Sequence, residues 1–358
     1  MQVSLREIGA RIDFRMMVSV LALCILGLVI IHSLTWPEDD RFVRQIFFLG
    51  IGLAVFIGVQ FWNINFWRNA SLVLYVSVIA FLLGLILFGE ATRGARGWIM
   101  LGTFGIQPAE FAKIATILFL STTLEKMQFD LAKIRHVVLS LLIIGIPVFL
   151  TIIQPDLGSA FIILISGLVM ILYTGLDKKK LIALFLAGIL VLISAWFIVM
   201  QDYQKERVLT FLNPQSDLLG SGYNVTQSIV AIGSGGIFGR GLGLGTQSQL
   251  NFLPEQETDF IFASIAEELG FMGAAILILV FIFFLWRLYL ILQKGGSAFT
   301  NFLVLGIIIM FLSQIVINIG MNMGVFPVTG ITLPFISYGG SSLVASFFGL
   351  GIIMTAKT

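Results

Sequence analysis

Apolar residues occur along this chain in runs close to the ~20 residues that an α-helix needs to cross about 30 Å of hydrocarbon, with short polar segments between them. The runs predict membrane-spanning helices near residues 16–34, 43–62, 70–88, 108–124, 137–154, 158–175, 181–200, 260–290, 301–319 and 341–355. The alternating segments of about ten residues that mark a membrane β-barrel are not seen. The first run lacks a small-residue cleavage pattern and leads through a polar turn into a second long run, so it is read as the first span and not as a secretory signal. The expectation is an all-α membrane protein, a polytopic bundle of about ten transmembrane helices forming one domain over 1–358. Two connections, 89–107 and 201–258, are too long for simple turns, and long connections are where function concentrates.

Composition strengthens this picture. Charged residues make up 11% of the 358, against roughly a quarter in soluble domains, and the mean hydropathy is +1.03. A net charge of +2 is too small to imply nucleic acid. Cys24 is the single cysteine and lies within the first apolar run, so it says nothing about redox compartment.

The placement of charge orients the bundle. With the N-terminus inside, Arg6, Arg11, Arg15, Arg68, Lys126, Lys133, Arg135, Lys178, Lys179, Lys180, Arg287, Lys294 and Lys357 are cytoplasmic, thirteen of the 21 basic residues. The same assignment leaves only Glu7, Asp13, Glu125, Asp130 and Asp177 inside, five of the 19 acidic ones. This satisfies the positive-inside rule, places both termini in the cytoplasm and makes 201–258 a large extracytoplasmic loop between spans seven and eight.

Candidate chemistry then lies at the outer ends of spans, where ionisable groups are costly to place near hydrocarbon. They are Arg93 and Arg96, Glu110 and Lys113, Asp156, Glu257 and Asp259, and Glu267 with Glu268. Pro108 suits the first turn of a helix, so Glu110 and Lys113 form an i,i+3 pair. One reading is a salt bridge that only neutralises burial. The other is a cationic pocket in which Lys113, Arg93 and Arg96 receive a phosphate or pyrophosphate, with Glu110 orienting the lysine. The two arginines on their own are equally compatible with snorkelling to lipid head groups. Asp259 precedes a long apolar helix and reads either as an N-cap or as a general base at the mouth of the bundle. Asp156 likewise reads as a cap. Glu267 and Glu268, adjacent on a helix, point about 100° apart, one toward the bundle interior and one toward a partner helix.

The glycine cluster at 233–245 contains no G-x-G-x-x-G and no P-loop pattern, and no strand precedes it, so a nucleotide site is not expected. Its glycines speak for re-entrant structure with close backbone packing. His32 and His136 are far apart in the chain, and no zinc-binding pattern is present. A loosely held divalent cation such as Mg or Mn, on carboxylates and a substrate phosphate, stays compatible with the sequence.

Four stretches carry a resemblance to a known family. They are Phe211-Leu-Asn-Pro-Gln-Ser-Asp-Leu-Leu-Gly-Ser-Gly-Tyr-Asn, Gln227-Ser-Ile-Val-Ala-Ile-Gly-Ser-Gly-Gly, Gly245-Thr-Gln-Ser-Gln-Leu-Asn-Phe-Leu-Pro-Glu-Gln-Glu-Thr-Asp-Phe-Ile-Phe-Ala, and the segment from Asn318 to Ser342. In order and spacing they resemble the SEDS family of cell-wall proteins, in its rod-shape branch more than its division branch. The resemblance implies a peptidoglycan glycosyltransferase of the bacterial cytoplasmic membrane that polymerises lipid II on the outer face during elongation. It implies as ligands lipid II, the undecaprenyl-linked glycan strand and membrane lipids. The partners it implies are a class B penicillin-binding protein and other rod-complex membrane proteins. Asp259 matches the family's essential aspartate, and Glu110, Lys113 and Arg93 or Arg96 match functional positions around a cavity. Glu257 stands where the family usually has His, and Ala109 where Ser is common. Glu257 is therefore expected to place a second negative charge near Asp259, raising its pKa or helping to hold a metal. A lipid-precursor flippase and a non-catalytic scaffold are the competing readings; a flippase would be expected to carry ionisable groups at the midplane and toward the cytoplasm.

Overall fold

The computed structural model describes residues 5–35, 39–89, 97–101, 104–127, 134–180, 202–212, 220–250 and 252–356, with scattered positions between 182 and 200. Its helices are α1 (Leu5–Arg11), α2 (Phe14–Thr35), α3 (Arg41–Val59), α4 (Ile64–Phe88), α5 (Pro108–Lys126), α6 (Ile134–Ile153), α7 (Leu157–Tyr173), α8 (Asp202–Leu212), α9 (Ser221–Ser234), α10 (Thr246–Gln249), α11 (Ile261–Gln293), α12 (Ala298–Asn322) and α13 (Gly340–Thr355). Nine of the ten predicted spans coincide with helices among the described residues. The seventh, 181–200, falls largely outside them.

Six of these helices are long and apolar enough to cross a membrane: α2, α3, α4, α6, α11 and α12. α7 and α13 are apolar but shorter. α5 is long enough at 19 residues, but Glu110, Lys113, Glu125 and Lys126 interrupt its apolar character, which already marks it as a helix buried by protein more than by lipid. Packing agrees. The apolar window of α12 is 67% buried against 22% for α3 and α4, so α12 is a central post and the other two form the rim. α12 packs on α5, α7 and α11, and α13 runs along α3. Phe284, Phe311, Phe335 and Phe347 interlock edge-on at the centre of the core, the geometry that aromatic quadrupoles favour.

One connection departs from the all-helical expectation. In the outer segment 89–107, β1 (Ile99–Leu101) pairs antiparallel with β2 (Phe104–Ile106), with Ile99 opposite Ile106. Close to the bilayer, backbone N–H and C=O groups must find partners within the protein, and the pairing of these two three-residue strands supplies them. The large outer loop is also more regular than its length suggested, since it contains α8, α9 and α10.

The two ends of the bundle are tied by different chemistry. At the end where α2 begins, Asp13 caps Met16 N at 3.0 Å and pairs with Arg287 at 2.6 Å, and Arg68 meets Glu125 at 3.5 Å. At the other end lie the starts of α5, α7 and α11 and the segment joining α12 to α13. The candidate residues gather there.

Candidate functional site

α5 begins on Pro108 with no side-chain cap from Gln107. Proline costs nothing at a position whose N–H lacks a helical partner, and it places Glu110 and Lys113 in the first two turns. Lys113 Nζ donates to Glu110 Oε1 at 2.7 Å, with the lysine side chain 2% exposed and the glutamate 9%. An ammonium carries three donors, and among the described residues this carboxylate is the one partner that the lysine has. A buried cation with spare donors is a poor structural element and a good anion receptor.

The amide of Gln107, directly before α5, accepts no cap duty but links two helix starts. Its Nε2 donates to Asp156 Oδ2 at 2.8 Å, while Asp156 Oδ1 accepts Ser159 N at 2.9 Å as the N-cap of α7. The capping role expected of Asp156 is therefore what the structure contains, together with a tie to the α5 end. α7 next packs on the segment between α12 and α13: a Cβ on Gly158 would lie 2.9 Å from Thr329 O. Gly330, in the left-handed region at φ 74°, faces the candidate base, since a Cβ there would lie 3.7 Å from Asp259 Oδ2. The starts of α5 and α7, tied by Gln107 and Asp156, and the 329–330 segment beside Asp259 thus lie together at one end of the bundle.

Asp259 is not the cap of α11. That position is taken by Phe260, without a side-chain bond, because residues 254–260 already form a tight turn in which the amides of Thr258, Asp259 and Phe260 all point at Glu255 O. The half-buried Asp259 is fixed instead through its backbone. Its carbonyl accepts Asn318 Nδ2 at 3.0 Å and Asn322 Nδ2 at 2.9 Å, and Asn322 Oδ1 accepts Ala263 N at 3.0 Å. Ser337 Oγ donates to Thr258 O at 2.6 Å, and Tyr338 N to Glu257 O at 2.8 Å. The turn is clamped from α12 and from the 330–340 segment.

Glu257 differs from its expected role. Its side chain, 7% exposed, is ion-paired with Arg41 at the start of α3. The added negative charge is compensated, so it neither loads Asp259 nor stands ready as a metal ligand. Among the described residues no three His, Cys, Asp or Glu side chains converge.

Glu267 and Glu268 hold the outer loop. Glu267 accepts Gln247 N at 2.8 Å and Ser248 N at 3.0 Å, the free amides at the start of α10. Glu268 Oε1 accepts Ser33 Oγ of α2 at 2.8 Å and Gly243 N at 3.2 Å. The expected reach of one of them to a partner helix is thus met by Glu268, while Glu267 turns to the loop and not to an open interior. Their carbonyls accept Arg240 N and Gly241 N, both at 3.0 Å, and Phe271 N and Met272 N donate to Gly236 O and Ile237 O at 2.9 and 3.0 Å. The glycine cluster therefore inserts into α11, replacing helical bonds where Gly270 (φ 69°, ψ −168°) breaks the helix.

From Gly270 to Gln293 the chain rises about 35 Å at 1.5 Å per residue, enough by itself to cross about 30 Å of hydrocarbon. Glu267 and Glu268 thus lie beyond a stretch that by itself is long enough to span the hydrocarbon. Arg93 and Arg96 lie outside the described residues.

Sequence reasoning missed Arg41, Gln107, Asn322 and Ser337 as parts of the site. Asn318 and Asn322, four apart on a mainly apolar helix, share one face, and that spacing was the available signal. Two grooves open on the flanks of the bundle. One of about 500 Å3 lies between α2, Phe42 and Gly243. Another of about 440 Å3 runs along α4 from Ser77 to Gly89 and Ile99, beside the hairpin that leads to Gln107.

Known proteins share this architecture. A family model described as "Cell cycle protein", covering the FtsW, RodA and SpoVE proteins, matches residues 14–358. The peptidoglycan glycosyltransferase MrdB of Escherichia coli K12 is 35% identical over 355 residues, spanning 97% of this chain and 94% of that protein. The stage V sporulation protein E of Bacillus subtilis is 39% identical over 360 residues, with 96% of each covered. Among solved structures, one chain from work on the coordination of polymerization and crosslinking by a peptidoglycan synthase complex superposes with a TM-score of 0.82 at 34% identity, covering 96% of each chain. The rod shape determining protein RodA of Thermus thermophilus superposes at 0.72 and 29% identity, covering 96% of this chain and 95% of that one. With a match over nearly its whole length in sequence and in structure, the chain belongs to the FtsW, RodA and SpoVE family, the SEDS family of its motifs, and is a multi-pass protein of the bacterial cytoplasmic membrane.

Proposed function

We propose that this protein is a peptidoglycan glycosyltransferase that polymerises lipid II into glycan strands on the outer face of the membrane during cell elongation. The observation that carries the reading is the buried Lys113 ammonium with one carboxylate partner among the described residues, at the same end of the bundle as Asp259, with the α5 and α7 starts and the 329–330 segment between them. A cation receptor for pyrophosphate and a carboxylate for a hydroxyl proton are the two groups this transfer needs. Asp259 takes the proton from the GlcNAc 4-hydroxyl of an incoming lipid II. The freed oxygen attacks C1 of the MurNAc at the lipid-linked end of the growing strand, the C1–O bond to phosphate breaks, and undecaprenyl pyrophosphate leaves. A single displacement inverts C1. Lys113 stabilises the charge that develops on the leaving pyrophosphate, assisted by Arg93 and Arg96. The apolar groove beside α4 suits a prenyl chain, because it ends at the hairpin that delivers Gln107 to the site.

A divalent cation such as Mg or Mn would need carboxylate ligands near the pyrophosphate. Glu257 is engaged by Arg41, Glu110 by Lys113 and Asp156 by Gln107 and Ser159, so the described donor set does not fit a metal, and no step is routed through one. A class B penicillin-binding protein is the expected partner, in keeping with a structural relative from a complex that couples polymerization to crosslinking.

The test is purified protein in detergent given lipid II, with glycan products resolved by length. Folded wild type that makes no polymer, alone or with its transpeptidase partner, would sink the reading. Lys113→Ala paired with Glu110→Gln, which avoids an unpaired buried charge, is expected to lower turnover about 10²- to 10³-fold, as loss of one oxyanion-stabilising donor does. Lys113→Ala alone should also destabilise the protein by about 3–5 kcal/mol, the cost of a stranded buried carboxylate, and a thermal melt of the two variants separates the effects.

A further inference from the structure

We propose that Arg41 is a positioning residue for the Asp259 turn, acting through Glu257. Arg41 is the first residue of α3, where the positive end of the helix dipole disfavours a cation. Two carboxylates offset this. Asp39 Oδ1 accepts Arg41 N at 2.9 Å and its Oδ2 meets the Arg41 Nε at 2.8 Å, while a second arm of the guanidinium reaches Glu257. The planar fork of arginine allows one side chain to bind both.

The two anchors differ in setting. Asp39 is about as open to solvent as Arg41, with side chains 36% and 33% exposed, but the Glu257 side chain is only 7% exposed. Glu257 sits inside the 254–260 turn, two residues before Asp259, and its own carbonyl is held by Tyr338 N. The other clamps on this turn come from α12 and the 330–340 segment. Arg41 adds a charged tie from α3. Breaking it leaves a buried carboxylate without a countercharge within two residues of the proposed base. The turn would have to open to hydrate it, taking Asp259 with it.

This inference rests on the proposed role of Asp259, and its test has one readout that does not. Hydrogen exchange of the amides 255–260 reports the order of the turn in any case, and lipid II polymerisation reports its consequence. In Arg41→Ala, exchange of those amides is expected to rise at least tenfold and turnover to fall at least tenfold with KM unchanged. Arg41→Lys, which keeps the charge, should restore both to within about threefold of wild type. If Arg41→Ala does not fold, Glu257→Gln removes the same tie from the other side without a change of shape, and the same two measurements apply. Loss of turnover with the turn still protected would overturn the proposal, since Arg41 would then act on substrate directly. Unchanged exchange and unchanged turnover would overturn it as well. An inactive, folded wild type would instead overturn the glycosyltransferase reading, while the exchange data would still decide whether Arg41 orders the turn.

Discussion

Asp259→Asn is expected to lower lipid II polymerisation by about 10²- to 10⁴-fold, the usual contribution of a general base, while the protein keeps its melting temperature. The separation follows from how the residue is held. Its carbonyl, not its carboxylate, receives the amides of Asn318 and Asn322, and the turn closes on Glu255 O through backbone N–H groups. Asparagine preserves these backbone contacts and nearly the same shape. It removes the negative charge and with it the capacity to accept a proton from the sugar hydroxyl. Substrate binding should survive, because the pyrophosphate end is assigned to Lys113, so KM should change little. Length-resolved glycan gels with a parallel thermal melt decide the matter: polymer at wild-type rate from Asp259→Asn would remove Asp259 from the mechanism.

Gly270→Ala is expected to have the opposite profile, a loss of folded protein before any loss of chemistry. Backbone angles of φ 69° and ψ −168° fall in a region that is essentially glycine-only and costs a side-chain-bearing residue of order 1–3 kcal/mol. Space is the larger problem. A Cβ there would collide with Gly239 N, and with Ile237 O at 2.6 Å, the backbone of the loop wedged into the helix. Neither neighbour is a flexible side-chain end that could turn away. Together these effects should exceed the 4–5 kcal/mol that marks exceptional destabilisation. A melting curve on detergent-purified variant, with Gly84→Ala as a helical control, measures it. At Gly84 a Cβ meets nothing within 4 Å, so that control should melt like wild type.

Most of the spans were legible because the bilayer imposes a length that acts on composition alone. α2, α6 and α11 begin and end within a few residues of the apolar runs that predict them. The Lys113–Glu110 pair was legible from its i,i+3 spacing after Pro108. Its two readings, neutralisation and anion binding, differ in how many donors stay unused, and that number needs coordinates. The environment of Glu257 was not legible, because its partner lies over 200 residues away in the chain. The same holds for the asparagine clamp and for Gln107, which become meaningful only when three helix starts meet at one end. The glycine cluster announced close packing, but not that its partner would be a broken helix, since Gly270 on its own reads as an ordinary helical glycine in an apolar run.

That break bears on how the protein is made. Below Gly270, α11 is a self-sufficient apolar helix of ordinary spanning length, with its backbone bonds internal, and it can be released into lipid as any such segment. Above it, residues 261–269 depend on the loop for the carbonyls of Glu267 and Glu268, and the loop depends on them for Arg240 and Gly241. The loop precedes α11 in the chain, so on the topology that the charge rule predicts it is translocated before α11 emerges. On that topology, insertion of α11 and assembly of the loop onto residues 261–269 are separate events. A defect in the loop should yield a correctly threaded protein that is held in the bilayer but never matures at its outer surface.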